Sequence, residues 1–200
     1  MIEVNSQNYS KKRLKPYLLI ATVLFVALFI SGFNSDLESA SAALEELEQL
    51  FEPLGNLGPF VLFLIIFLNN TIKALGAIVM GIVLGIPPLV FVVFNGFIIG
   101  AIVSALGSAV GYGVIAASLV PHGIIEIPVL LLSTALGLSV GLESLKFLIG
   151  RKSMVRAQLR YGLKIYLKWI LVSLLIAAII EVFVTPYFIV LAGGETILIQ

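Results

Sequence analysis

Long apolar stretches separated by short polar ones dominate the chain, and they predict membrane-spanning helices. The first stretch, 17–33, follows a polar tail at 1–16. It is just long enough to cross the hydrocarbon at about 1.5 Å per helical residue. Later apolar stretches predict four more spans, at 59–85, 89–107, 123–149 and 165–188.

Two segments between these spans have a different pattern. Residues 35–52 carry an apolar stripe that recurs every three or four residues and six acidic residues with no Lys or Arg. This pattern predicts a short amphipathic helix. It either packs locally on the membrane and the other helices or docks a partner helix, and both interpretations stay open. Residues 108–122 are apolar but too short to cross, which predicts a re-entrant or interfacial segment.

Composition supports a membrane protein over a soluble one. The chain is 60% hydrophobic and 12% charged, about half the charged fraction of a soluble domain. The mean hydropathy is +1.15. Cysteine is absent, which excludes disulfides, thiolate metal sites and cysteine nucleophiles. We therefore predict an all-α polytopic membrane protein with about five transmembrane helices, in a single membrane domain over 1–200.

The distribution of basic residues predicts the orientation. Of the twelve, four lie in 11–15, seven lie in 146–168, and one is Lys73. With five spans, both clusters fall on the same side of the membrane. The positive-inside rule then predicts a plasma-membrane protein with a cytoplasmic N-terminus, a cytoplasmic basic loop at 150–164, an external amphipathic helix and an external C-terminus.

Polar side chains inside the spans are costly, and they mark a functional site by default. Depth estimated from helix rise sorts them into two layers. The inner-to-middle layer contains Asn69, Asn70, Lys73 and Asn95, and the outer layer contains His122, Glu126 and Glu181.

Each layer has a structural and a functional explanation. Asparagines join helices by hydrogen bonds, and Lys73 can extend to the cytoplasmic surface; alternatively, the inner layer lines a pathway or a ligand site. His122 and Glu126 share one face if a helix begins at Pro121, but they lie on a loop if it begins at Pro128. We interpret 121–126 as a hinge between the short apolar segment and the fourth span.

Small residues spaced four apart predict close helix packing, within the bundle or between copies. The glycine pairs are Gly81 and Gly85, Gly96 and Gly100, Gly107 and Gly111, and Gly137 and Gly141.

The residues give little support for enzymatic chemistry. Gly137–Gly141 matches the G-x-S-x-G pattern of serine hydrolases, but it lies mid-helix, where the required strand-to-helix elbow is absent. His122 lies about 25 Å from it along a continuous helix. Zinc catalysis needs about three ligands, which His122, Glu126 and Glu181 supply only weakly. We therefore predict no catalytic residues, no metal and no cofactor. Glu143 and Lys146 have the spacing of an interfacial ion pair.

The order of several motifs resembles the stage II sporulation protein M family of integral membrane proteins. These motifs are Asn69-Asn70, Pro87-Pro88, Asn95-Gly96 and Pro121-His122-Gly123 followed by Glu126. The resemblance covers about residues 60–190. It implies a membrane scaffold, which in sporulating bacteria serves peptidoglycan-degrading partners during engulfment. The family also occurs in organisms that do not sporulate, including archaea.

The first functional hypothesis is therefore a membrane scaffold or accessory protein that acts through membrane-protein partners or self-association. The alternative is a small transporter or channel that uses the intramembrane Asn, Lys and Glu residues. An intramembrane hydrolase or metal enzyme is the third. The expected partners are the lipid bilayer, a second copy or other membrane proteins, and anionic headgroups at 151–164; nucleic acid is not expected.

Overall fold

The computed structural model describes residues 2–35 and 57–194, with side chains described from Leu14 onward. Within these ranges the regular elements are all helical. The predicted amphipathic helix at 35–52 falls, apart from Ser35, outside the described residues. The helices are α1 (Ile2–Phe33), α2 (Pro59–Val79), α3 (Ile86–Val110), α4 (Tyr112–Leu148), α5 (Val155–Ile165), α6 (Leu171–Phe183) and α7 (Thr185–Leu191), with a 3₁₀ turn at Met80–Ile82 and a π-helical turn at Tyr166–Ile170.

Five helical stretches of the described chain are long and apolar enough to cross a membrane. This confirms the predicted all-α, multi-pass architecture. The stretches are Leu14–Phe33, Pro59–Ile82, Ile86–Val110, Tyr112–Leu148 and Val155–Phe183.

Helix α4 is the central element of the bundle, since it packs against α1, α2, α3, α5, α6 and α7. Ser133, Ala135 and Val140 in its second half are among the most buried residues of the described chain. Small side chains of this kind let neighbouring helices approach closely. The main apolar core lies here, where Leu136 of α4 packs with residues of α2 and α6 such as Ile78.

The predicted break before the fourth span is absent. Helix α4 runs without interruption from Tyr112 to Leu148 and contains both Pro121 and Pro128. The hinge at 121–126 is therefore a wrong prediction, whereas the re-entrant or interfacial placement of 108–122 stays a prediction. Each proline removes one backbone hydrogen bond. Ending the helix in apolar surroundings would leave several N–H and C=O groups unpaired, which costs more.

The fifth span begins earlier than predicted, because most of the expected loop at 150–164 is helical. Helix α5 starts at Val155 and buries Gln158 and Gly162 against the bundle. Its basic residues Arg156, Arg160 and Lys164 are exposed and recur every four residues, which places them on one helical face. The charges suggested a loop, whereas their spacing is typical of an amphipathic helix.

The start of α1 and the start of the fifth span lie at the same end of the bundle. Leu14 packs against the core cluster that contains Tyr166 and Ile170. Helices α1 and α5 are also in direct contact. The two basic clusters of the sequence are thus brought to one end of the molecule.

Candidate functional site

A small polar cavity lies inside the bundle between α2, α3, α4 and α6. Its volume is about 120 Å³, which is room for several water molecules. We refer to it as the polar cavity. Its polar lining residues are Asn70 and Lys73 from α2, Asn95 from α3, and His122 and Glu126 from α4.

Helix α4 contributes two of these side chains from one face. Because the helix continues through Pro121, the four-residue spacing places His122 and Glu126 one turn apart. The alternative in which a helix begins at Pro128 does not apply. Both side chains are half-buried, so they are available to groups inside the bundle.

Helix α2 meets this face through an amide. Asn70 Nδ2 donates a hydrogen bond to Glu126 Oε1 at 2.6 Å. Lys73 lines the same cavity about one turn further along α2, and the residue as a whole is exposed. The inner and outer layers predicted from helical rise therefore meet in the structure, through Asn70 and Glu126.

Helix α6 adds a second carboxylate. One nitrogen of His122 and one carboxylate oxygen from each of Glu126 and Glu181 lie within 4.8 Å of one another. All three residues are half-buried. We refer to them as the His–Glu–Glu cluster; it connects α4 to α6 beside the polar cavity.

Two predicted residues contribute less than expected. Asn69 is exposed and lies off the cavity wall, since adjacent helical positions differ by about 100° around the axis. Asn95 lines the cavity, but its Nδ2 donates to the Phe91 carbonyl of its own helix at 2.7 Å. Of the three asparagines, Asn70 is the one whose hydrogen bond joins two helices.

A second polar network lies near the C-terminal end of α4. Lys146 Nζ and Glu143 Oε1 are 2.5 Å apart, and Met154 N donates to Glu143 Oε2 at 2.8 Å. Gln158 Nε2 donates to Ser139 Oγ at 2.8 Å. The i, i+3 spacing indicated the ion pair, but Gln158 was missed. The available signal was a lone amide on the apolar side of the α5 pattern.

Ser139 has a structural role in this network. Its hydroxyl also donates to the Leu136 carbonyl at 2.6 Å, and the residue lies within continuous helix. The elbow that a hydrolase nucleophile requires is therefore absent here. His122 lies 17 positions away on the same helix, about 25 Å by helical rise.

Six of the eight glycines predicted to pack closely lie at contacts between backbone segments of the chain. Of the other two, Gly107 lies against the Tyr112 ring, and a Cβ at Gly111 would meet nothing within 4 Å. Five of the six, all except Gly85, have no room for a Cβ, because it would lie less than 3.0 Å from a neighbouring backbone. At Gly85 the φ angle of +76° adds a conformational requirement, since side-chain-bearing residues rarely adopt it. Gly96 and Gly100 of α3 meet the backbone of α1, Gly81 meets Gly137, and Gly85 meets Gly141.

Comparison with known proteins places this architecture in a family. The sequence profile described as Stage II sporulation protein M matches residues 16–186. The chain belongs to the stage II sporulation protein M family. The match includes four of the five apolar stretches in full, nearly all of the first, and every residue of the polar cavity. It confirms the resemblance noted in the sequence.

A relative of similar sequence comes from an archaeon. An uncharacterized protein of Methanocaldococcus jannaschii is 28% identical over 176 residues, which cover 84% of this chain and 93% of that protein. No solved structure gives a significant match to the chain. The family match and the apolar helices together indicate a membrane protein.

Proposed function

We propose that this family member is a membrane scaffold or accessory protein that acts through other membrane proteins or through self-association and catalyses no reaction. The observation that carries this proposal is the packing of its helices. Backbone meets backbone between α1 and α3, and between α4 and the turn that joins α2 to α3. Helices in such contact cannot slide past each other without overlap, which suits a protein that holds partners in place.

The outer faces of the bundle are free for partners because the glycine contacts are internal. On α2, Phe60, Leu68 and Ile72 are each more than half exposed. On α1, Leu19 and Val23 are equally open. Such apolar faces contact either lipid or the helices of other membrane proteins, since lipid tails are as apolar as a leucine surface. We infer that partner helices dock on these faces.

The proposed orientation places the N-terminus in the cytoplasm and the C-terminus outside. The support is that both basic clusters lie at one end of the bundle, as the contact between Leu14 and the core around Tyr166 indicates. Positive residues flanking spans favour the cytoplasmic side. Arg156, Arg160 and Lys164 would then face the anionic headgroups of the inner leaflet.

Crosslinking in the native membrane tests the scaffold proposal. A photoreactive phenylalanine analogue at Phe60 or Ile72 should form an adduct with a second copy or with another membrane protein. The same analogue at Phe67, which packs against the core, is the matched control and should form intramolecular products. If the analogue at Phe60 and at Ile72 forms adducts with lipid alone, the proposal fails.

A small transporter or channel is the second candidate, and the polar cavity is the observation that favours it. Asparagine, lysine and glutamate side chains converge there within apolar helices, as in many ion pathways. A volume of about 120 Å³ suits water or a small ion better than an organic solute, whose pockets are typically about 300 Å³ or larger.

Flux in proteoliposomes separates the two candidates. Under the transport hypothesis, Asn70→Ala and Glu181→Gln should change the flux of protons or small ions. Asn69→Ala is the matched control because Asn69 lies outside the cavity. If the wild-type protein shows no flux of protons, alkali-metal ions or halides, transport is excluded and the scaffold proposal stands alone.

A further inference from the structure

The His–Glu–Glu cluster is a constellation that neither a scaffold nor helix packing requires. It brings one imidazole and two carboxylates together from α4 and α6, with a ligand-type atom of each within 4.8 Å of the others. Among the described residues it is the one group of three His, Cys, Asp or Glu side chains with such spacing. We propose that His122, Glu126 and Glu181 bind one divalent transition-metal ion, with Zn²⁺ the best-suited ion.

The distances are compatible with a shared ion. Tetrahedral zinc holds nitrogen and oxygen ligands at about 2.0–2.2 Å, which puts two ligand atoms about 3.4 Å apart. Atoms that are at most 4.8 Å apart need to close by no more than about 1.4 Å per pair. Rotation about the χ angles of the two glutamates supplies this movement, so the helices can keep their positions.

The ligand atoms are largely free of competing hydrogen bonds. His122 Nδ1 is buried and has no hydrogen-bond partner among the described residues. Among the described residues, Asn70 donates a hydrogen bond to Glu126, and this bond occupies only the Oε1 atom of the carboxylate. A buried polar atom without a hydrogen-bond partner is rare in folded proteins. A metal ion bound to the imidazole would give this side chain the partner that it lacks.

Charge also favours a cation at this position. Two carboxylates in apolar surroundings repel each other strongly, and a buried charge requires a counter-charge. Within the described ranges the one salt bridge is between Glu143 and Lys146, so Lys73 acts on Glu126 only from a distance and pairs directly with neither carboxylate. A divalent ion between Glu126 and Glu181 would balance both carboxylates at once.

The donor set selects the class of ion. Mg²⁺ and Ca²⁺ prefer ligand sets made of oxygen, whereas an imidazole nitrogen suits zinc and its first-row neighbours. The adjoining polar cavity has room for water as a fourth ligand. Asn70 would act as an outer partner that orients Glu126, as such groups do at known metal sites.

A metal ion bound by these three residues would link α4 to α6 within the membrane. Metal binding to the folded state alone would stabilise the bundle. This inference goes beyond the proposed scaffold function, and either one can fail without the other.

The first experiment measures the metal content of the full chain, purified in detergent after removal of any affinity tag. Inductively coupled plasma mass spectrometry should find about one zinc per wild-type chain. Glu181→Gln and His122→Ala should retain less than about a tenth of that amount. Asn95→Ala is the matched control, since Asn95 lines the cavity but is not among the cluster's ligands, and it should retain the metal.

The second experiment does not depend on how well the variants fold. Wild-type protein stripped with a chelator should gain several degrees in thermal midpoint when Zn²⁺ is restored, and Co²⁺ should give visible ligand-field absorption. Mg²⁺ should do neither. If wild-type protein binds no stoichiometric ion and shows neither response, the proposal is wrong. It is equally wrong if the cluster variants and Asn95→Ala bind the same amount.

Discussion

Two carboxylates of α4 occupy opposite kinds of environment, although both lie inside an apolar bundle. Glu143 is only 4% exposed. One of its oxygens pairs with Lys146 at 2.5 Å, and the other accepts a hydrogen bond from Met154 N at 2.8 Å. Both oxygens of this carboxylate therefore have partners.

Glu126, toward the N-terminal half of the same helix, has fewer partners. It accepts one hydrogen bond, from Asn70, and faces a second carboxylate, Glu181, and the imidazole of His122. The Nδ1 atom of that imidazole has no hydrogen-bond partner among the described residues. A satisfied buried network holds helices together, whereas an unsatisfied one is costly unless something else occupies it. The difference shows that a buried carboxylate does not by itself indicate a binding site. A buried carboxylate that lacks hydrogen-bond or ion-pair partners does.

The largest expected effect is on the satisfied network. Glu143→Ala removes the partner of Lys146 and of the Met154 N–H, so it should cost about 2–4 kcal/mol of folding free energy. Denaturant unfolding of detergent-purified protein measures this. Glu181→Ala, assayed without metal, should cost less than half as much. If the two losses are equal, the contrast between the regions does not hold.

The next effect concerns the bond between α5 and α4. Gln158→Leu removes the donor to Ser139 Oγ, and we expect a loss of about 1–2 kcal/mol in the same unfolding assay. Ser139 keeps its bond to the Leu136 carbonyl, so the effect should be smaller than at Glu143. The double variant Ser139→Ala/Gln158→Leu should lose less than the sum of the single variants, because the two residues share one interaction.

A smaller effect is expected at the cavity. Asn70→Ala removes the hydrogen bond to Glu126 and should cost about 1 kcal/mol. Glu126→Gln keeps an oxygen that can accept from Asn70, so its loss, with both variants assayed without metal, should be smaller. The unfolding midpoints of these two variants separate the contribution of the hydrogen bond from that of the charge. A larger loss in Glu126→Gln would show that the charge itself stabilises the fold.

The five spans were predictable because each depends on local composition over about twenty residues. The continuity of α4 was not, because the cost of Pro121 and Pro128 is local whereas the apolar surroundings that outweigh it are not. The start of α5 was less predictable, because its charge content favours a loop whereas the four-residue spacing of Arg156, Arg160 and Lys164 favours a helix.

The candidate site shows the same limit. Residue types and rough depth singled out His122, Glu126 and Glu181, since ionisable groups inside spans are rare. The sequence could not show that Asn70 would meet Glu126, 56 positions away, or that Glu181 of α6 would lie beside His122 and Glu126. Such pairings depend on how the helices pack, and the two layers estimated from helical rise meet through Asn70 and Glu126.

The smallest expected effect is at Asn69, where the adjacent Asn70 provides the comparison. Asn69 is exposed and off the cavity wall, so Asn69→Ala should change folding free energy by less than about 0.5 kcal/mol. Zinc content should also stay at the wild-type level. Asn70→Ala, one position away in the same helix, should lower both stability and metal retention, because it loosens Glu126. Equal behaviour of the two variants, measured by unfolding and by mass spectrometry of the metal, would mean that the orientation of α2 toward α4 plays no part in the site.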